Sequence, residues 1–360
     1  MKKIIRIIMS CLLLGAGTFG AYFMYLFAPQ FKAVQSIQSI APDVYTMTYR
    51  GDYGFDAFLE NGGATTDSAM AVYIGQFLTH GIIPMAEAEE SSNEPFACST
   101  LILPTDSGYV MGRNFDYEHH GQTMITRTFP KNGYASVATN SILFLGYGDS
   151  WQPAENPVMR MPAIAAIYVP LDGMNECGLC VADLIEVDGM PVHQSTGKTP
   201  ITTVAAIRLI LDHAANVDEA IALLQSYDLH SSMNAAHHFA ISDATGKAVV
   251  VEYINHQMVV TPSMACTNHR LAMPTDTALL SPTIAPAIAN AKARYQTLMQ
   301  ISDQPTADDL LMQSALQQVA FAGWTRWSIV FNPQQKTATY YFNADFITQP
   351  YTISLGDKSN

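Results

Sequence analysis

Short apolar runs separated by turns predict several β-hairpins in the second part of the chain. The clearest pairs of runs are 99–103 with 109–111, 238–242 with 248–253, and 327–331 with 337–342, and a further strand is predicted at 257–261. A β region is also predicted over 163–187, broken at Asp172-Gly173. Because hairpins dominate, the pattern predicts antiparallel sheets.

Apolar residues at helical spacing predict helices between these hairpins. Such helices are predicted at 204–212, from Asn216, at 288–301 and from Thr306, which lies at capping-box spacing from Asp309. Paired helices need a sheet face to cover, so the sequence predicts an α+β fold of two stacked sheets with helix layers outside.

Composition narrows the classes of function. The chain has 360 residues, of which 49% are hydrophobic and 14% charged, with a formal net charge of −13. The apolar fraction excludes a mainly disordered protein. The acidic balance argues against a nucleic-acid partner, because phosphate binding needs a basic surplus.

The first residues predict a membrane segment. Lys2, Lys3 and Arg6 precede an uncharged run over 7–28. This run is long enough to span a bilayer, so residues 1–28 are predicted to be a signal anchor with the remainder exported. The alternative is a cleaved signal peptide and a secreted protein.

Residues 29–97 are predicted to be an acidic pro-segment. They contain two basic and nine acidic residues. The spacing predicts one helix, capped by Asp67 and stopped by Gly81, and then an exposed linker that ends before Cys98. The catalytic domain is predicted to be 98–360.

Cys98 is the leading candidate nucleophile among five cysteines. A cut before it would give one residue both a thiol and an α-amine, whose pKa of about 7.7–8.0 suits a base at neutral pH. The predicted hairpin brings Arg113 and Asp116 back beside Cys98, where Arg113 would favour the thiolate. The alternative is a structural cysteine with a surface ion pair nearby.

Five stretches in order resemble the N-terminal-nucleophile cysteine amidases (linear amide C-N hydrolases). The family includes the choloylglycine hydrolases, the penicillin V acylases and the acid ceramidase and N-acylethanolamine amidase branch. The stretches are Cys-Ser-Thr-Leu-Ile-Leu from Cys98, Gly-Arg-Asn-Phe-Asp-Tyr from Gly112, Asn-Glu-Cys-Gly-Leu from Asn175, Thr267-Asn268 and Thr-Arg-Trp-Ser from Thr325.

The resemblance implies a four-layer αββα fold (the Ntn hydrolase fold) that becomes active by self-cleavage before Cys98. It also implies that Cys98 is nucleophile and base, that Arg113, Asp116 and Arg326 set the charge around it, and that Asn268 donates to the oxyanion. The chain lacks the second asparagine that choloylglycine hydrolases offer after the Asn-Glu-x-Gly-Leu turn. Asp183 or Glu186 would occupy that wall.

The sequence gives less support to a redox site, a metal site or a serine nucleophile. Cys177 and Cys180 have redox or zinc spacing, but a turn and a strand flank them and a second metal-binding pair is missing. Packed thiols, or a disulfide from one of them to Cys266, are the favoured interpretation. The sequence has no His-Glu-x-x-His and no Gly-x-Ser-x-Gly, so no metal or cofactor is predicted.

The resulting hypothesis is a self-processing cysteine amidase. It would hydrolyse a linear, non-peptide amide of a small-molecule N-acyl substrate with an apolar acyl group. An acyltransferase on the same scaffold and a non-catalytic membrane-anchored binding protein are the alternatives. The sequence leaves the oligomeric state open.

Overall fold

A computed structural model describes residues 22, 24–82, 96–145, 160–273, 281–304 and 309–356. Two large β-sheets dominate it, as the hairpin pattern predicts. The strands are β1 Gln38–Ala41, β2 Val44–Arg50, β3 Ser99–Thr105, β4 Gly108–Asp116, β5 Thr123–Phe129, β6 Ser136–Ser141, β7 Asp172–Asn175, β8 Cys180–Ile185, β9 Pro200–Thr202, β10 Asp228–His230, β11 His237–Ser242, β12 Ala248–Ile254, β13 Gln257–Pro262, β14 Ala265–Thr267, β15 Thr325–Asn332, β16 Thr337–Phe342 and β17 Tyr351–Ser354.

The larger sheet has nine strands in the order β1-β2-β5-β6-β7-β8-β11-β12-β13. Its pairs are antiparallel except that β2 runs parallel to β5. The expectation of wholly antiparallel sheets is therefore wrong at this point. The reason is that β2 precedes β3 and β4, which belong to the other sheet, so it reaches β5 by a crossover rather than a hairpin.

The second sheet has six antiparallel strands in the order β14-β3-β4-β15-β16-β17. All three predicted hairpins are present: β3 with β4 in this sheet, β15 with β16 beside them, and β11 with β12 in the larger sheet. A separate two-stranded parallel sheet joins β9 and β10.

Helices cover the outer face of each sheet. The helices are α1 Ala28–Gln35, α2 Phe55–Glu60, α3 Asp67–Leu78, α4 Thr203–His213, α5 Val217–Gln225, α6 Ala285–Ser302 and α7 Asp309–Val319. Helices α1 to α5 pack on the nine-stranded sheet, and α6 and α7 pack on the six-stranded sheet. A third apolar cluster lies between the two sheets. This arrangement confirms the predicted αββα layers.

The segment before Cys98 is built into these layers. Sequence analysis predicts one helix there, but the structure adds α1, α2, β1 and β2. Strand β2 buries Val44, Tyr45, Met47 and Tyr49, and it extends the nine-stranded sheet. The hydroxyl of Tyr53 donates to Asp212 Oδ2 at 2.5 Å. The segment therefore shares the core of the protein.

Local details differ from the sequence prediction in two further places. Residues Met161–Tyr168, predicted as strand, form a 3₁₀ helix that begins after Arg160 with a proline in its first turn. Helix α3 is capped by Thr66, whose hydroxyl accepts from the N–H of Ala69, and Asp67 is its first residue.

Several predicted features lie outside the described residues. They are most of the membrane segment 1–28, the acidic part of the linker before Cys98, and Thr306. Among the helices that the structure does describe, none combines the length and the apolar character needed to cross a bilayer.

Helix α7 provides a test of the outer core. Leu316 is fully buried against the six-stranded sheet, whereas Leu310 on the same helix is 72% exposed. We expect Leu316→Ala to lower the free energy of unfolding by about 2–5 kcal/mol, because it leaves a cavity. Leu310→Ala should change it by less than about 0.5 kcal/mol. Urea unfolding of the two variants measures the difference, and equal values would contradict this packing.

Candidate active site

Cys98 lies at the start of β3, with its side chain buried between the two sheets. The β3–β4 pairing places Ser99 opposite Asn114, and the N–H of Ala97 donates to the carbonyl of Asp116 at 3.2 Å. The predicted hairpin therefore does return the Gly-Arg-Asn-Phe-Asp stretch to the beginning of β3.

Alternate residues of that stretch face opposite sides of the sheet, as in any strand. Gly112 and Asn114 face α7. A Cβ on Gly112 would lie 2.3 Å from Met312 Sδ, so glycine permits the close approach of the helix. Asn114 Nδ2 donates to the carbonyl of Leu316 at 2.8 Å. This pattern leaves Arg113 to point between the sheets, towards Cys98.

Arg113 is fully buried, and its charge is compensated from the nine-stranded sheet. Its Nε lies 3.4 Å from Asp172 Oδ2, and its Nη2 donates to the carbonyl of Asp183 at 2.8 Å. Burial raises the pKa of the Cys98 thiol, the Arg113 charge opposes this rise, and Asp116 adds to it. The resting thiol is therefore protonated, with a fixed cation beside it.

Asp116 ends β4 inside the same buried region. Thr325 Oγ1 donates to its Oδ1 at 2.6 Å. Burial raises the pKa of Asp116 to about 7, and the Thr325 hydrogen bond and the charge of Arg294 act against the rise. This carboxyl group consequently changes charge near neutral pH, beside the thiol.

Arg294 is a site residue that sequence analysis missed. Its Nη1 donates to the carbonyl of Cys98 at 2.7 Å and to that of Ala97 at 3.2 Å, and its Nη2 donates to Asn268 Oδ1 at 2.9 Å. The signal is in α6, where Arg294 lies in the buried stripe with Ala291 and Leu298. A cation on the core-facing side of a helix needs buried acceptors.

Asn268 follows β14, which pairs with β3 and so brings it to Cys98. Its Oδ1 accepts from Arg294, and its Nδ2 donates to the carbonyl of Ile185 at 2.9 Å. The amide that the resemblance assigns to the oxyanion is thus at the site. In this chain it is already held by a backbone carbonyl.

Arg326 lies at the edge of the site. Its Nε donates to the carbonyl of Tyr117 at 2.7 Å, its Nη2 donates to that of Glu118 at 3.0 Å, and its Nη1 contacts His120. Its charge still acts on Asp116. The structure therefore brings Arg113 and Asp116 to the Cys98 thiol, and Arg294 links the Cys98 carbonyl to Asn268.

A pocket opens beside the thiol. It is lined by aromatic and aliphatic side chains, with one acid and one histidine: Phe96, Cys98, Phe115, Phe144, Leu171, Asp183, Ile185, Met233 and His237. Phe96 stacks on Tyr117, with ring centroids 4.7 Å apart, two residues before the predicted cut. An apolar pocket with few polar groups is typical of a small-molecule site.

The polar corner of this pocket is an ion pair. His237 Nδ1 lies 2.9 and 3.0 Å from the two oxygens of Asp183, and its Nε2 lies 2.9 Å from the carbonyl of Ser232. The Ser232 carbonyl can only accept, so Nε2 carries a proton, and the Asp183 carboxylate accepts a hydrogen bond from a second proton on Nδ1, so His237 is an imidazolium. Although burial opposes it, Asp183 raises the pKa of His237.

One wall of the pocket is formed by the stretch after the Asn-Glu-Cys-Gly-Leu turn, where this chain lacks the second asparagine of the choloylglycine hydrolases. Asp183 and Ile185 face the pocket, whereas Glu186 turns away and accepts from Arg270 Nε at 2.6 Å. Among the described residues that line the pocket there is no side-chain amide, and Asn268 is not one of the lining residues.

Glu186 belongs to a buried polar cluster that could in principle bind a metal. Ligand atoms of Glu186, His238 and Glu252 lie within 4.8 Å of one another. However, Arg270 pairs with Glu186, and both oxygens of Glu252 accept backbone N–H groups from residues 271 and 272. Partners within the protein therefore satisfy both carboxylates without a metal, and the cluster fixes the loop that follows Asn268.

The four cysteines that the structure describes are free thiols. Cys180 is buried between the sheets, Cys266 is buried beside His238, and Cys177 is partly exposed. The favoured interpretation of Cys177 and Cys180 as packed thiols agrees with these positions, and the disulfide to Cys266 does not form.

Part of the chain matches a known protein family. Residues 98–268 match the model of the family described as linear amide C-N hydrolases, choloylglycine hydrolase family. That match begins at Cys98 and ends at Asn268. The segment 98–268 is a linear amide C-N hydrolase domain. The protein is therefore a hydrolase of linear amides.

Solved structures are similar to this chain. A variant of conjugated bile acid hydrolase from Clostridium perfringens is 19% identical, with a TM-score of 0.52 and coverage of 73% of this chain and 94% of that chain. Penicillin V acylase from Agrobacterium tumefaciens is 17% identical, with a TM-score of 0.47 and coverage of 72% of this chain and 92% of that chain. A Caenorhabditis elegans N-acylethanolamine-hydrolyzing acid amidase ortholog is 14% identical, with a TM-score of 0.44 and coverage of 71% of this chain and 99% of that chain. No curated protein matches the chain.

The pKa of Asp116 predicts a dependence of stability on pH. Its folded value of about 7 lies above its ordinary value of 3.8, so the folded protein keeps a proton that the unfolded chain loses. The stability from this group is complete below about pH 4 and is lost as the pH rises to about 7. We expect the melting temperature of Cys98→Ala to fall more between about pH 4 and pH 7 than that of the double variant Cys98→Ala with Asp116→Asn. Parallel curves for the two variants would contradict the assignment.

Proposed function

We propose that the protein is a self-processing cysteine amidase that hydrolyses an N-acyl amide with an apolar acyl group through a Cys98 acyl-enzyme. The observation that carries the proposal is the contact of Arg294 with the carbonyl of Ala97, next to the Cys98 thiol. A buried cation on that oxygen stabilises the charge that develops when the thiol attacks the preceding peptide bond.

Self-cleavage would begin with attack of Cys98 Sγ on the carbonyl carbon of Ala97. The C–N bond before Cys98 breaks, a thioester forms, and the thiol proton ends on the released α-amine. Water then hydrolyses the thioester to the Ala97 carboxylate and the free thiol. Arg294 supports this step because its Nη1 is 3.2 Å from the oxygen that becomes negative.

The mature site would repeat this chemistry on an external amide. The α-amine of Cys98 takes the thiol proton and the thiolate attacks the substrate carbonyl. The same proton then goes to the leaving amine, and water releases the acyl group. Arg113 and Asp116 set the charge at Cys98, while Arg294 and Asn268 face the oxyanion. Arg326 acts from the edge, through Asp116.

The chemistry of the pocket supports an apolar acyl group. Most of its lining side chains are aromatic or aliphatic, and Phe96 of the uncut chain is one of them. The solved structures similar in fold are enzymes of conjugated bile acids, penicillin V and N-acylethanolamines. An apolar acyl part suits this pocket, and we propose it for this chain.

The segment 29–97 would remain attached after the cut, and the mature enzyme would consist of two chains. Strand β2 pairs along its whole length with β5, and its side chains lie in the core, so release would expose a large apolar surface. We further propose that residues 1–28 anchor the first chain in a membrane, with the catalytic domain 98–360 outside the cytoplasm. Secretion after signal-peptide cleavage is the alternative.

Removing the thiol tests self-processing. We expect the wild-type ectodomain to give two chains, the second beginning at Cys98, whereas Cys98→Ala stays whole because it lacks the nucleophile. Intact mass and N-terminal sequencing measure this, with the partly exposed Cys177→Ala as the matched control. Wild-type protein that stays whole at both acidic and neutral pH would contradict the proposal and favour a binding role.

Arg294→Gln tests the contact with the scissile carbonyl. Loss of an oxyanion donor costs about 10²–10³ in rate, so we expect self-cleavage to slow by at least about 10²-fold. The time course of chain separation is the measurement. Gln296→Ala, at an exposed position of the same helix, is the control. A rate within threefold of the wild type would remove Arg294 from the mechanism.

A further inference from the structure

A strained turn forms part of the pocket wall. Met233 lines the pocket with a φ of 55°, and Asn234 follows with a φ of 49°, so two consecutive non-glycine residues occupy the left-handed region. Such a conformation is strained for a residue with a side chain, and it persists only where neighbouring groups hold it. The position of Met233 therefore depends on contacts that fix this turn.

Ser232 makes those contacts. Its N–H donates to Thr203 Oγ1 at 3.1 Å, its carbonyl accepts from His237 Nε2 at 2.9 Å, and its hydroxyl donates to Asp67 Oδ1 at 2.9 Å. Thr203 and His237 follow Cys98 in the chain. Asp67 begins α3, on the segment before the proposed cut.

Further hydrogen bonds connect His237 to Arg113, which lies beside the Cys98 thiol. His237 pairs with the carboxylate of Asp183, and the carbonyl of Asp183 accepts from Arg113 Nη2. Arg113 is the cation whose charge lowers the pKa of Cys98 against the effect of burial. A continuous series of hydrogen bonds thus runs from Asp67, through the pocket wall, to the catalytic arginine.

We propose that Asp67 is a positioning residue for the acyl pocket, acting from the N-terminal chain through Ser232. The inference rests on the proposed self-cleaving amidase. It means that the pocket is completed across the cut: the first chain holds the turn that presents Met233 and His237 to the substrate. Asp67 does not touch the substrate, so its loss changes the fit of the acyl group rather than the bond-breaking step.

Kinetics of the cut enzyme on coumarin amides of linear fatty acids of increasing length test the proposal. We expect Asp67→Ala and Ser232→Ala each to raise KM about tenfold for the longest accepted chain, while kcat stays within about twofold. The double variant should be no worse than Asp67→Ala alone, because Asp67→Ala already removes the hydrogen bond to Ser232. Asp67→Asn keeps an acceptor oxygen and should give a smaller change.

Asp56→Ala is the matched control. Asp56 also lies on the first chain and contacts the second, since its Oδ1 is 2.8 Å from His213 Nε2, but it does not line the pocket beside Cys98. Its KM values should equal those of the wild type. If Asp56→Ala raises KM as much as Asp67→Ala, the effect is general loosening of the first chain, and the proposal is wrong.

Two further results would separate this inference from the proposed function. The Ser232→Ala variant could be cut and active and show the same dependence of KM on acyl length as the wild type. That result would overturn the role of Asp67 and leave the proposed amidase function standing. Wild-type enzyme that hydrolyses none of the amides would overturn the proposed function, and the inference with it.

Discussion

The pairing of β3 with β4 on one side and with β14 on the other is the constraint on which the site depends. It places Cys98 between the end of β4, which carries Arg113 and Asp116, and the end of β14, which leads to Asn268. Hydrogen bonds between strands fix these distances far better than loops would. The β3–β4 hairpin is local, whereas Asn268 is far from Cys98 in sequence, and they meet because one sheet holds all three strands.

Buried charge is the second constraint, and it joins the two sheets. Arg113 on the six-stranded sheet pairs with Asp172 on the nine-stranded sheet, and Trp327 Nε1 also donates to Asp172 Oδ2, at 2.9 Å. Burying these ions adds little net stability, but an unpaired one would be costly, so the two sheets hold a single relative position. The cation beside the thiol is thereby kept rigid and dry, where its charge has its largest effect.

The segment before Cys98 acts as a structural part of the domain rather than as a cover for it. It supplies the parallel strand β2, three helices of the outer layer and Phe96 of the pocket. Its contacts with the rest of the chain are both apolar, along β2, and polar, at Tyr53 and Asp67. A cut before Cys98 would break one peptide bond and leave this packing in place.

Local sequence patterns predicted the hairpins, most helices and the motif residues around Cys98, because strand alternation, turn chemistry and short motifs depend on neighbouring residues. The sequence also indicated Asp183 and Glu186 as the wall where the second asparagine is missing, without deciding between them. Only the tertiary structure placed β2 beside β5, turned Glu186 to Arg270, and brought Arg294 to the carbonyl of Ala97. Arg294 lies 196 positions beyond Cys98, and no local pattern sets which helix packs on which strand. That choice depends on how the two sheets and their helix layers bury apolar surface together.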